Sequence, residues 1–210
     1  LPPLPGNPGS APSRERSDLD PQTASERAEG LLLRLAAHDP DTVGHLRRTA
    51  ATVEAVATRL GWDAARVRWT TFGALLHDIG KMKVAPEVTF KPGPLSEIEQ
   101  AAMRDHVVYG TRLVSEAGFP PLVARIVHDH HERLDGSGYP SRLRGREIDE
   151  EVRLVMLADI ADAMLSRRPY KKAMPLKVVR DALQAGAGIL FDAELIGPVV
   201  AELERREAAT

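Results

Sequence analysis

An all-helical bundle is the fold this sequence predicts, on three observations. Aromatic residues make up only 4% of the chain, while Ala, Leu, Val and Arg are abundant, a balance short of the aromatics that strands favour. Apolar residues recur at three- and four-residue spacing over long stretches. Between those stretches stand residues that cap or stop helices, among them Gly61, Asp63, Ser96 with Glu99, Gly118 and Pro120. At 210 residues the chain suits one domain with a short flank and can bury a substantial core.

Residues 1–23 are rich in Pro, Gly and Ser and read as a flexible linker or tail, with the helical domain running from 24 to 210. Because the chain starts at Leu1 rather than Met, a sensor or receiver domain is expected ahead of it. Ser25 to Ala37 reads as a first helix, with Leu31, Leu32 and Leu35 toward the core. A second runs from Asp41 to Leu60 on the stripe Val43, Leu46, Ala50, Val53 and Ala57, and Gly61 stops it. Asp63 caps a third helix through Val67, Phe72 and Leu76, whose end delivers His77 and Asp78 before Gly80 turns the backbone away.

From Met82 to Leu95 the breakers Pro86, Pro92, Gly93 and Pro94 predict a long connection. Ser96 and Glu99 form a capping-box signature for a helix ending near Gly118, which places His106 in mid-helix. Pro120 and Pro121 open the helix that leads to His130 and His131. After a Gly-rich turn, a helix from Asp149 carries Val152, Val155, Met156, Asp159 and Ile160, with Pro169 ending it. Two more helical patterns, Pro175 to Gln184 and Asp192 to Glu207, look like packing elements.

Charge and composition exclude several classes. A formal net charge of −2 offers no basic field for DNA or RNA. The absence of cysteine rules out disulfides and thiolate metal sites. No apolar run reaches the roughly 20 residues of a membrane span and these residues show no signal-peptide pattern, so the cytoplasm is the expected setting.

The chemistry concentrates in HDHHERLDGSGYP, from His128 to Pro140, and in HDIGK from His77. His45, His77, Asp78, His106, His130, His131 and Asp159 come from separate helices and offer imidazole and carboxylate without sulfur. Such donors suit iron, manganese, nickel, cobalt or zinc. Asp78 is the best placed to bridge two ions, and a pair of ions favours hydrolysis of a phosphate ester. Each residue also has a plainer role open to it. His106 reads equally as a hydrogen-bonded core residue, Asp159 and Asp162 as a solvated helix face, and Gly136 and Gly138 as a simple turn. Adjacent His130 and His131 would point about 100° apart on a helix, so they serve either one ion at a fraying helix end or two ions side by side. Glu132 adds a further acid beside them. His38 and His128 read as structural or surface residues. Arg167, Arg168, Lys171 and Lys172 form either a solvated charge run or a loop that grips an anion.

Taken together these residues carry a resemblance. The doublet His77-Asp78 resembles that of the HD phosphohydrolase superfamily, and the fuller set resembles its HD-GYP subfamily of cyclic di-GMP phosphodiesterases. The matching pieces are His45 with Arg48, LLHDIGK from Leu75, KPGPLS from Lys91, His106 with Gly110, HHERLDGSGYP from His130, ADIADAMLSRRPYKKA from Ala158, and Phe191-Asp192. They span Asp39 to Ile196, and the run ending in Gly-Tyr-Pro is the most specific of them.

The resemblance implies an HD-type helical bundle with a binuclear metal site and the ligand set His45, His77, Asp78, His106, His130, His131 and Asp159. It implies two divalent ions, iron or manganese foremost; members with three carry Glu where this chain has the shorter Asp41. It puts Lys81 beside the scissile phosphate, Arg168 and Lys171 on the dinucleotide's phosphates, and Tyr139 in the signature loop beside the site. The expected reaction opens cyclic di-GMP to linear pGpG, and onward to GMP, with Asp78 and Lys81 in the catalytic set. Hydrolysis of another cyclic dinucleotide such as cyclic GMP-AMP or of a mononucleotide, or non-catalytic binding of cyclic di-GMP or a partner protein, stands as the alternative. A diguanylate cyclase docked on the signature loop and a homodimer are the further partners expected.

Overall fold

The computed structural model describes residues 19–166 and 173–209. Among the described residues ten α-helices follow in order: α1 (Pro21–Ala36), α2 (Pro40–Arg59), α3 (Ala64–Leu76), α4 (Pro86–Thr89), α5 (Glu97–Arg104), α6 (His106–Glu116), α7 (Pro121–Asp129), α8 (Glu150–Leu165), α9 (Leu176–Ala185) and α10 (Ala193–Ala208). Short 3₁₀ turns occupy Ile79–Lys83 and Gly145–Glu147. No strand occurs among the described residues, and the all-α expectation is borne out.

Most starts are explained by caps visible in the sequence. Asp20 accepts from the Gln22 and Thr23 amides, Asp39 from Thr42, Asp63 from Ala65 and Arg66, and Asp192 from Glu194, satisfying donors that the first helical turn leaves unpaired. The capping box of Ser96 and Glu99 is complete. Helix α1 begins at Pro21, within the stretch read as tail, because Asp20 caps it and Ala24 and Ala28 are buried beneath it.

The helices share two adjoining cores. In the first, α8 is apolar all round through its middle: Leu154, Val155, Met156, Leu157 and Ala158 are consecutive and buried. A helix of that kind must be surrounded, and α2, α3, α9 and α10 surround it through Val53, Ala57, Ala74, Val179, Leu183, Leu195 and Val199. In the second, Leu32 and Leu35 of α1 meet Leu46, Leu76, Val114, Val123 and Val127. Helices α2 and α3 contribute to both cores. Polar ties fix the frame further, with Arg66 bonded to Glu150 (2.5 Å) and Glu151 (2.6 Å), its guanidinium 3.6 Å over the Trp62 ring.

One element departs from the periodic reading. Instead of a single helix from Ser96 to Gly118, the chain forms α5 and α6, broken at Asp105, so His106 opens a helix rather than lying within one. The break lets the first turn of α6 lie directly on Gly80. A Cβ at Gly80 would stand 1.9 Å from the His106 carbonyl oxygen and 2.5 Å from the Gly110 nitrogen, and no periodicity signal reports so close a backbone approach.

Candidate metal centre

Helix ends deliver most of the candidate side chains. His77 is the C-cap of α3 and Asp78 follows it; His106 is the first residue of α6; His130 is the C-cap of α7, with His131 just beyond. His45 and Asp159 face them from within α2 and α8. The seven converge in two groups. Asp78, His106, His130 and His131 form one, and His45, His77 and Asp159 the other, with the potential ligand atoms of each group within 4.8 Å of one another. The structure therefore brings together all seven residues singled out from the sequence.

The adjacent histidines fit because α7 has ended. Their rings lie 4.1 Å apart by centroid, and both belong to the same group. Asp78 faces both groups: its Oδ1 is 3.2 Å from His106 Nε2, and its Oδ2 is 3.6 Å from His77 Nε2 and 2.5 Å from the Lys81 ammonium. Asp159 Oδ1 lies 3.0 Å from His45 Nε2 and 3.6 Å from His77 Nε2.

The imidazoles are oriented from behind. His77, His106 and His130 each turn Nδ1 to the backbone carbonyl three residues earlier, those of Ala74, Met103 and Val127, at 2.8, 2.7 and 2.9 Å. A carbonyl can only accept, so the proton resides on Nδ1 and Nε2 presents its lone pair to the centre. His45 Nδ1 instead meets Asp162 Oδ2 at 2.7 Å. That carboxylate is buried, which corrects the reading of Asp159 and Asp162 as a solvated face: α8 is enclosed, and both acids point at histidines.

Electrostatics complete the fit to cations. Burial pushes His130 well below the ordinary imidazole range and His131 down to about 3, which leaves both neutral and able to donate lone pairs. Burial raises Asp78 and Asp159, but Lys81 and His77 beside the first, and His45 and His77 beside the second, hold both well below the usual carboxylate range. His45 is lowered by burial yet, between Asp159 and Asp162, is pushed up to about 9. The acids around it demand positive charge, as a proton or as a metal. His45 Nε2, His77 Nε2 and Asp78 Oδ1 are moreover buried without a hydrogen-bond partner, a condition rare in proteins and one that metal ligation would relieve. The donors present suit divalent cations.

The signature loop is built around Glu132. Its fully buried carboxylate accepts from the backbone amides of Ser141 (2.7 Å), Arg142 (2.9 Å) and Leu143 (3.1 Å), so this acid organises the loop and stands outside both ligand groups. Gly138 is required there, since a Cβ would fall 2.4 Å from the Glu132 Cα. The loop sets Tyr139 against His131, and the Arg104 guanidinium lies 5.0 Å over the Tyr139 ring. Gly138 thus does more than reverse the chain. Asp41 is exposed, and neither it nor the half-buried His38 and His128 belongs to either group. Arg168 and Lys171, expected to grip phosphates, lie outside the described residues. Sequence reasoning missed the roles of Asp162 and Arg104; only the one-turn spacing of Asp159 and Asp162 hinted at the former.

Residues 31–195 match the family model described as HD domain. The chain belongs to the HD domain family. The HD-GYP resemblance read from its motifs is borne out by its relatives. This HD chain is 39% identical over 189 residues to the cyclic di-GMP phosphodiesterase response regulator RpfG of Xanthomonas campestris, covering 86% of this chain and 50% of that protein. It is 39% identical over 140 residues to 3′3′-cGAMP-specific phosphodiesterase 3 of Vibrio cholerae, covering 67% of this chain and 30% of that one. It thus spans half or less of the length of these relatives. Its fold resembles that of Bd1817, an HDGYP protein from Bdellovibrio bacteriovorus, with a TM-score of 0.64 at 21% identity over 86% of this chain and 61% of that one. Among the described residues no helix is long and apolar enough to cross a membrane.

Proposed function

We propose that this chain is a metal-dependent phosphodiesterase that hydrolyses cyclic di-GMP to linear pGpG and onward to GMP, in cytoplasmic second-messenger signalling. The observation that carries the reading is the convergence of His45, His77, Asp78, His106, His130, His131 and Asp159 into two adjoining ligand groups. The names of its relatives supply the substrate class. His45, His77 and Asp159 would hold one divalent ion and His106, His130 and His131 a second, with Asp78 shared between them; iron or manganese is the expected metal. When bound, such a pair polarises phosphoryl oxygens and lowers the pKa of water enough for attack near neutral pH.

The chain's own residues do the rest. Nδ1 hydrogen bonds keep the Nε2 atoms of His45, His77, His106 and His130 aimed inward, so these donors do not reorganise during the reaction. Lys81, bonded to Asp78 and partly exposed, is placed to balance negative charge developing on the phosphate. Tyr139, in the signature loop beside His131, is assigned to the dinucleotide, and Arg168 and Lys171 to its phosphates.

A second substrate, 3′3′-cyclic GMP-AMP, is favoured by the 39% identity to a Vibrio cholerae enzyme named for it. Anaerobically purified, Mn(II)- or Fe(II)-loaded protein should be offered cyclic di-GMP, 3′3′-cyclic GMP-AMP and cyclic di-AMP side by side, with products separated by chromatography. Preferential conversion of cyclic di-GMP, abolished in Asp78→Ala, is the expected result. Full activity of Asp78→Ala, or tight binding of the dinucleotide without turnover, would overturn the assignment.

A further inference from the structure

We infer that Asp162 is a positioning residue that, clamped by Arg48, sets the affinity of the ion position formed by His45, His77 and Asp159. The inference rests on the metal-dependent reading above and extends it to a residue outside the ligand set. Three of the inward-facing histidines are oriented by neutral backbone carbonyls. His45 alone among those four has a carboxylate behind it, Asp162 Oδ2 at 2.7 Å, while its Nε2 points toward Asp159 Oδ1 at 3.0 Å. A charged acceptor behind an imidazole fixes its tautomer and makes the opposite nitrogen a stronger donor.

Asp162 is itself held in place. Arg48 binds Oδ1 through Nε at 2.8 Å and Oδ2 through Nη2 at 3.0 Å, and the Ser166 hydroxyl donates to Oδ2 at 3.1 Å. Nη2 of Arg48 also donates to Ser166 Oγ at 2.9 Å. An ion pair whose only task was to join α2 to α8 would not need an imidazole inserted in it. With the Arg48 side chain half exposed, such a pair would contribute little to stability. The arrangement makes sense as a relay of orientation: Arg48 fixes Asp162, Asp162 fixes His45, and His45 faces the cation.

The test compares wild type, Asp162→Asn, Asp162→Ala and Arg48→Met, stripped with chelator and titrated anaerobically with Mn(II). Calorimetry reports each binding step, electron paramagnetic resonance reports the state of the bound Mn(II), and thermal unfolding of the stripped proteins reports the fold. Asn keeps the shape and one acceptor oxygen, so it carries the test even if Ala fails to fold. The expected result is one step weakened about 10- to 100-fold in Asp162→Asn, the other unchanged, at an unchanged unfolding midpoint. Spectra at two equivalents should then show free Mn(II) that wild type lacks, and Arg48→Met should show a smaller loss at the same step. Two wild-type steps in Asp162→Asn would overturn the inference, as would equal weakening of both steps with a lowered midpoint, the mark of a merely structural role. Failure of wild type to bind any Mn(II) would instead overturn the metal-dependent reading itself.

Discussion

Tyr139 is stacked on His131, their ring centroids 4.7 Å apart and their planes inclined by 27°. The aromatic residue of the signature loop therefore holds one face of a proposed ligand. Stacked aromatic pairs are worth about 0.5–1.5 kcal/mol beyond the area they bury, roughly two- to tenfold in an affinity. Tyr139→Phe should keep metal affinity within about twofold of wild type, and Tyr139→Ala should weaken it by the full factor. Equal behaviour of the two variants in a metal-competition titration would show that stacking has no part in it.

The loop depends on Glu132, whose carboxylate accepts three consecutive backbone amides. Hydrogen bonds to a charged group contribute about 1.5–3 kcal/mol each, and buried donors stranded by its removal cost more. Glu132→Ala should therefore lose about 3 kcal/mol or more in denaturant unfolding, and Glu132→Gln clearly less. A loss under about 1 kcal/mol in the Ala variant would mean that water serves the three amides equally well.

Two glycines make a paired test of packing. Gly80 has backbone atoms of His106 and Gly110 within the space of a methyl group, whereas a Cβ at Gly30, inside α1, meets nothing within 4 Å. Gly80→Ala should destabilise by about 2 kcal/mol or more and disturb metal binding through His106. Gly30→Ala should stabilise by about 0.5–1 kcal/mol, since alanine restricts the unfolded chain and favours helix. Thermal unfolding of both variants checks the contrast in sign.

Acid stability has an identifiable contributor away from the centre. Burial raises Glu202, but hydrogen bonds from Arg206, Arg205 and Arg59 outweigh it and hold the carboxyl below its ordinary value. A carboxyl depressed in the folded state contributes stability at pH above its unfolded value, and that stability is lost as pH falls toward the folded one. Urea unfolding between pH 7 and pH 3 should show a steeper acid loss in wild type than in Glu202→Gln. Identical slopes would remove Glu202 from the account.

Much of this was legible in the chain because it was written locally. Caps such as Asp63 and Ser96, and the Leu and Val stripes of α2, α3 and α8, mark helices through nearest-neighbour chemistry, and the His and Asp clusters stand out by residue type. What stayed hidden is set by contacts across the fold. The break at Asp105 follows from the approach of Gly80, 25 positions earlier in the sequence. The burial of Asp162 depends on α2, whose His45 and Arg48 lie 117 and 114 positions away. Glu132 resembles a ligand by its neighbours, yet its oxygens are taken by amides that follow the turn. Residue type announced the donors, whereas only the packed helices reveal which partner stands behind each.

The central claim is that five imidazoles and two carboxylates cage a pair of divalent ions. Its most direct test is the metal content of anaerobically prepared protein, determined by elemental analysis for wild type and Asp78→Ala after removal of loosely bound ions. Two ions per chain in wild type, falling to one or none in the folded variant, is the predicted result. Wild-type protein that remains below one ion per chain after loading with excess Fe(II) or Mn(II), or a variant that retains both, would contradict it.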